Sequence, residues 1–221
     1  MLAMSVIGCG RIGRMHARNL ARHSRVKLVS VFDPAQQSAR DTATELGVKA
    51  VAAVDAIWSD PEVEAVLIAS PTETHVALIG AAVAAGKAVL CEKPIDLDLT
   101  RARAGWAAIA ARKPPVMLGF NRRFDPSFRA LRERLHAGEI GRLELAVITS
   151  RDPAPPPPAY IQASGGLFRD MTIHDFDMAR YLAGDIEEVF AFGSNSPGKP
   201  PYCFFQSSTC CANLEHRSAR P

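Results

Sequence analysis

The chain has 221 residues, enough for one large domain or two small ones, and its 48% apolar content is enough to build a core. Charged residues at 22% argue against disorder, and a net charge of +3 leaves no basic footprint for nucleic acid. No apolar run is long enough to span a bilayer, and Met1-Leu2-Ala3-Met4-Ser5 has neither a basic region nor a cleavage site, so a cytoplasmic chain without a membrane partner is expected.

Residues 4 to 119 alternate between apolar runs and helical stretches. The runs are Met4–Ile7, Lys27–Phe32, Ala65–Ala69, Ala88–Cys91 and Val116–Gly119, near-continuous in the way of strands buried on both faces. Helices are predicted over about 11–23, 34–46, 75–85 and 99–112, and this alternation predicts a parallel α/β sheet of the doubly wound, Rossmann type. After residue 120 the pattern changes. A helix is predicted over 126–137, a strand over Leu143–Ser150, a proline-rich loop over Asp152–Pro158, a helix over 169–183 and a strand over Glu187–Phe192. The domains expected are 1–120, 121–193 and an atypical, disordered tail over 194–221, where Pro197, Pro200 and Pro201 leave no strand or helix period. Cys9 and Cys91 fall inside core elements and read as buried thiols, while Cys203, Cys210 and Cys211 match no zinc spacing.

Gly8-Cys9-Gly10-Arg11-Ile12-Gly13 is a G-x-G-x-x-G directly after a strand and at the opening of a helix. Its first glycine permits the tight turn, its second lets backbone approach a pyrophosphate, and its third allows close helix–strand packing. Asp33 ends the second strand twenty residues after Gly13, where an acid binds the ribose 2′-hydroxyl. An acid there repels a 2′-phosphate and Pro34 follows it, so the cofactor expected is NAD rather than NADP.

Two further clusters carry chemistry. Cys91-Glu92-Lys93-Pro94 lies at the carboxyl end of a strand, the edge at which open α/β sheets bind ligands. In the second, running from Ser164 to Asp177, a continuous helix would place Asp170, His174 and Asp177 on one stripe. Two carboxylates and a histidine could hold a hard metal, but oxidation by a nicotinamide with a lysine at hand needs no Lewis acid, and no metal is expected.

These motifs, with Ala69-Ser70-Pro71-Thr72-Glu73-Thr74-His75, Gly119–Pro126 and Phe168–Arg180, resemble the glucose–fructose oxidoreductase/inositol dehydrogenase/MocA (Gfo/Idh/MocA) family, and within it the members that oxidise inositols. The resemblance implies a Rossmann domain followed by an α/β domain with an open antiparallel sheet used for homo-oligomerisation, tetramer-like in full-length members. It implies Lys93, Asp170 and His174 as the catalytic residues. It also implies cofactor contacts from Ser70, Pro71, Thr72, His75 and Glu92, beside those of Gly8, Gly10, Arg11, Ile12, Gly13 and Asp33. A polyol substrate needs many hydrogen-bonding partners, and Lys93, Arg122, Asp152, Asp170 and His174 are the candidates.

The reaction expected is NAD-dependent oxidation of a cyclic polyol, myo-inositol to its 2-keto inosose. The alternatives are another sugar dehydrogenase or an inactive NAD-binding fragment. His174 or Lys93 would take the alcohol proton. The likeness is expected to end near Ser194, as in a truncated or frameshifted second domain that binds NAD without the strands that close its sheet.

Overall fold

Two apolar runs, β1 (Leu2–Ile7) and β2 (Val26–Phe32), are buried along most of their length and pair in parallel. The computed structural model describes residues 1–151, 156–157, 160 and 164–190. The chain divides into one unit over Met1–Gly119 and a second from Phe120 onward.

In the first unit β1 leads to α1 (Arg11–Arg22), and β2 to α2 (Gln36–Leu46) and a two-residue strand, β3 (Lys49–Ala50). A short helix, α3 (Asp55–Ser59), precedes β4 (Ala65–Ile68); α4 (His75–Ala84), β5 (Ala88–Cys91), α5 (Leu99–Ala110) and β6 (Val116–Leu118) follow. The six strands run in the order β3-β2-β1-β4-β5-β6, and every pair is parallel. The sequence reading placed five of the six correctly to within two residues; β3 is too short and too exposed to leave an apolar run.

Because side chains alternate along each strand, the core lies in two layers. Ile7, Val66 and Ile68 face one way and meet Ile79, Ala82 and Val83 of α4. Met4, Val6 and Leu67 face the other and meet Ala17 of α1 and Ala39 and Ala43 of α2. Helices therefore cover both faces of the sheet. Between the layers the Ser5 and Ser30 hydroxyls bond each other at 2.8 Å, which satisfies two polar groups inside the sheet. Asp98 starts α5 by accepting from the amides of Thr100 and Arg101. The strand order reverses between β1 and β4, which opens a crevice at the carboxyl edge.

The second unit is helical in its described part: a 3-10 turn over Asn121–Phe124, α6 (Pro126–His136), α7 (Leu167–Asp170) and α8 (Ile173–Ala183). Asp125 caps α6 by accepting from Ser127 and Phe128, with Pro126 at the first helical position.

Two expectations are corrected here. The helix expected over 169–183 is two helices, because the amides of Met171 and Thr172 both turn back to the Leu167 carbonyl and the chain restarts at Thr172. Residues 143–150 and 184–190 form no strand. A strand exists through its ladder, and among the described residues nothing pairs with either segment. The second-domain strands and the tail from residue 191 otherwise fall partly or wholly outside the described residues, as do Cys203, Cys210 and Cys211.

Candidate functional site

The glycine turn between β1 and α1 shows three different reasons for three glycines. Gly8 has φ +97°, and a Cβ there would lie 2.6 Å from the Ala69 carbonyl carbon. A Cβ on Gly13 would lie 1.8 Å from the Gly8 oxygen, so α1 could not pack this close. A Cβ on Gly10 would meet nothing within 4 Å. Space is open at Gly10, at the amino end of α1, where free amides and the helix dipole favour a phosphate. That is the fit a dinucleotide requires. Beside it Arg11 is exposed and Ile12 half-buried.

Asp33, just past β2, accepts from the Cys9 amide at 2.7 Å through one oxygen and from the Ala35 amide at 2.8 Å through the other. Arg14 donates to the Cys9 carbonyl at 3.0 Å. The middle of the turn is thus held at its N–H and at its C=O. Burial pushes the Cys9 thiol up, and the nearby Asp33 charge adds to it.

After β4, the Ser70 and Thr74 hydroxyls lie 2.6 Å apart and Thr74 donates to the Pro71 carbonyl at 2.7 Å, which shapes the bend containing Pro71 and Thr72. His75, expected at the cofactor, has its ring turned into the protein. It is 1% exposed, with Nδ1 2.8 Å from the Pro94 oxygen and Nε2 2.9 Å from the Ser70 oxygen. Both ring nitrogens face backbone carbonyl oxygens, to one of which a neutral ring donates, so its part is to support the bend.

Glu92 and Lys93 follow β5 at the same carboxyl edge, both half-buried. Glu92 Oε1 lies 2.7 Å from His16 Nε2. Burial pushes the Glu92 carboxyl up, but the hydrogen bond and charge of His16, with the Lys93 amide and ammonium, outweigh it and hold the group below the usual carboxylate range. An ionised carboxylate only accepts, so His16 carries its proton on Nε2.

In the second unit, Asp170 ends α7 and accepts from the Tyr160 hydroxyl at 2.9 Å. His174 lies in the first turn of α8, its ring edge-on to Phe120 at 6.3 Å. Asp177, expected on a stripe with these two, instead makes a two-pronged pair with Arg123 at 2.7 and 2.8 Å. Arg122 pairs with Asp175, and the Ser150 hydroxyl donates to the same carboxylate at 2.6 Å, so this guanidinium orders the chain locally. Asp152 lies outside the described residues. A cleft of about 610 Å³ in this unit is lined mainly by aliphatic side chains, among them Leu131, Leu135, Leu143 and Val147. Such a lining offers a polyol few hydrogen bonds, and neither Asp170 nor His174 contributes to it.

Sequence reasoning missed His16, Arg14 and Tyr160. His16 left a signal: it stands three residues after Gly13, on the helix face shared with buried Gly13 and Ala17. Tyr160, in a proline-rich stretch without period, left none.

The family model described as the oxidoreductase family, NAD-binding Rossmann fold, matches residues 2–120. That described as the GFO/IDH/MocA C-terminal domain matches residues 128–212, beyond Ser194, where the sequence reading ended the likeness. The chain is similar to an inositol 2-dehydrogenase of Rhizobium meliloti, 48% identical over 81% of this chain and 54% of that one. A solved myo-inositol dehydrogenase from Corynebacterium glutamicum is 49% identical with a TM-score of 0.85, covering 89% of this chain and 59% of that one. A scyllo-inositol dehydrogenase from Lactobacillus casei, solved with NAD(H) and scyllo-inositol, is 32% identical with a TM-score of 0.75, covering 89% and 60%. The chain therefore spans little more than half the length of these relatives.

Proposed function

The chain belongs to the Gfo/Idh/MocA oxidoreductase family, and we propose that it serves the NAD-dependent oxidation of myo-inositol to its 2-keto product. The observation that carries this reading is the pairing of an open glycine turn with Lys93 at one edge of one sheet, in a chain 48% identical to an inositol 2-dehydrogenase. Bound NAD supplies a hydride acceptor. The residues of this chain do the rest. The amides around Gly10 hold the pyrophosphate, and Asp33 takes the ribose hydroxyls and excludes a 2′-phosphate. Ser70, Pro71, Thr72 and Glu92 would contact the cofactor, with His75 behind the Ser70 bend.

Oxidising the alcohol requires loss of its proton. His174 takes that proton, since imidazole changes charge near neutral pH. Lys93 donates to the reacting oxygen and stabilises its developing charge. Asp170, steadied by Tyr160, accepts from a neighbouring hydroxyl of the ring. Arg122 and Asp152 contribute to the polyol site, Arg122 by way of the Asp175 pair. The second domain, matched by the family model over residues 128–212, carries an open antiparallel sheet used for homo-oligomer assembly. In support, Leu145 and Val147 are 79% and 80% exposed, apolar surface that such a sheet would cover.

The purified chain with NAD and myo-inositol, followed at the NADH absorbance, tests the reading. Steady NADH formation is expected, and Lys93→Ala and His174→Ala should each lower kcat by about 10²-fold or more. A chain that binds NAD but oxidises no inositol isomer would overturn the dehydrogenase assignment.

A further inference from the structure

We propose that His16 and His75 are positioning residues that clamp the two chain neighbours of Lys93 from opposite faces of the sheet. The inference rests on the reading of Lys93 as catalytic. β5 ends at Cys91, and the Glu92 amide still donates to the Ile68 carbonyl at 2.9 Å; beyond it the backbone leaves the ladder. Lysine carries its ammonium on a flexible four-carbon stem, so its aim depends on how firmly its backbone is held.

Two histidines do the holding. His16 comes from α1, whose Ala17 packs in the layer with Val6 and Leu67. It grips the Glu92 carboxylate at 2.7 Å, and that carboxylate in turn accepts from the Lys93 amide. Gly119, just past β6, leaves room for this carboxylate: a Cβ there would stand 3.2 Å from Oε2. His75 comes from α4, whose Ile79 and Val83 pack in the opposite layer with Ile7 and Ile68. It lies 2.8 Å from the Pro94 oxygen and, through its other nitrogen, 2.9 Å from the Ser70 oxygen. Lys93 is thus bracketed by one gripped residue on each side. The grip on Glu92 ties it to the helix that follows the glycine turn. The His75 ring, wedged between the Pro94 and Ser70 carbonyls and donating to one of them, sets the lysine against the Ser70 bend. Cofactor loops and lysine are thereby fixed in one frame.

Amide hydrogen exchange on the 221-residue chain tests this without relying on turnover. His16→Ala and His75→Ala should each speed exchange at Glu92 and Lys93 by about tenfold, the weight of one hydrogen bond to a charged or buried partner, while β1 and β2 keep their protection. His16→Gln, which retains an N–H donor at the same reach, should restore the slow exchange. Unchanged exchange at Glu92 and Lys93 in both alanine variants would overturn the proposal. So would a uniform rise across β1, β2 and β5, which would make the histidines ordinary packing. In turnover, His16→Ala should lower kcat, and should cost nothing further in a Lys93→Ala background. Normal turnover by Lys93→Ala alone would end the catalytic reading of Lys93 and leave the exchange result standing.

Discussion

The two units are held by different forces. In the first, sheet and helices exclude water: Val6, Val31, Val66 and Ile68 are each 0% exposed, and helices cover both layers. In the second, Met178 is the only fully buried hydrophobic residue among those described, and arginines join the 3-10 turn and α6 to α8. Arg123 grips Asp177 and lies over the Tyr181 ring at 5.2 Å, and Arg132 lies over the same ring at 4.5 Å while donating to the Tyr181 carbonyl. A unit built on burial resists local change. A unit built on partly exposed pairs holds its order through a few named contacts, each worth little in water.

Core truncation sharpens this contrast most. Ile68→Ala should cost about 2–5 kcal/mol in urea unfolding, because the lost methyls leave a cavity between packed layers. Leu145→Ala should change stability by no more than about 0.5 kcal/mol, since the side chain is 79% exposed. Equal costs at the two sites would break the comparison.

A smaller effect comes from acid. The Glu92 carboxyl is held low in the folded chain, so its contribution to stability is complete above the ordinary glutamate value of about 4.3 and fades as pH falls through its lower folded value. Unfolding followed from pH 6 downward should show a steeper loss in wild type than in Glu92→Gln, and parallel curves would remove Glu92 from the account. The smallest effect is chemical. Burial pushes the Cys91 thiol up to about 12, with the Glu92 charge adding to it, and the side chain is 0% exposed. Cys91 should therefore resist alkylation near pH 8 until the first unit unfolds, as peptide mapping would show. Modification of Cys91 in the folded chain would mean that the core opens more readily than its packing implies.

The same contrast decides what the sequence made legible. Strands buried on both faces leave unbroken apolar runs, and a glycine turn needs particular residues at particular spacings, so β1, β2, β4, β5 and the Gly8–Gly13 motif could all be read directly. Lys93 could be placed because the strand before it could. Contacts between distant residues could not be. Nothing in the spacing says that His16 meets Glu92, that His75 turns inward to Ser70 and Pro94, or that Arg122 engages Asp175. The break between α7 and α8 was equally hidden, since the residues around Met171 and Thr172 suit a continuous helix and only the hydrogen-bond pattern divides it. Leu143–Ser150 alternates as a strand does, yet a strand needs a neighbour, and the alternation of one segment cannot supply it.

Asp33 joins two properties that protein engineers like to treat as separable. The carboxylate proposed to turn away a phosphorylated ribose is also the acceptor for the Cys9 amide, with the Arg14 guanidinium on the carbonyl of the same residue. Replacing it to broaden cofactor choice would therefore loosen the pyrophosphate cradle along with the ribose site. A variant selected for NADP would need a second substitution to brace the turn before it could match the parent. Cofactor preference at this position is consequently harder to evolve in one step than the single acidic residue suggests.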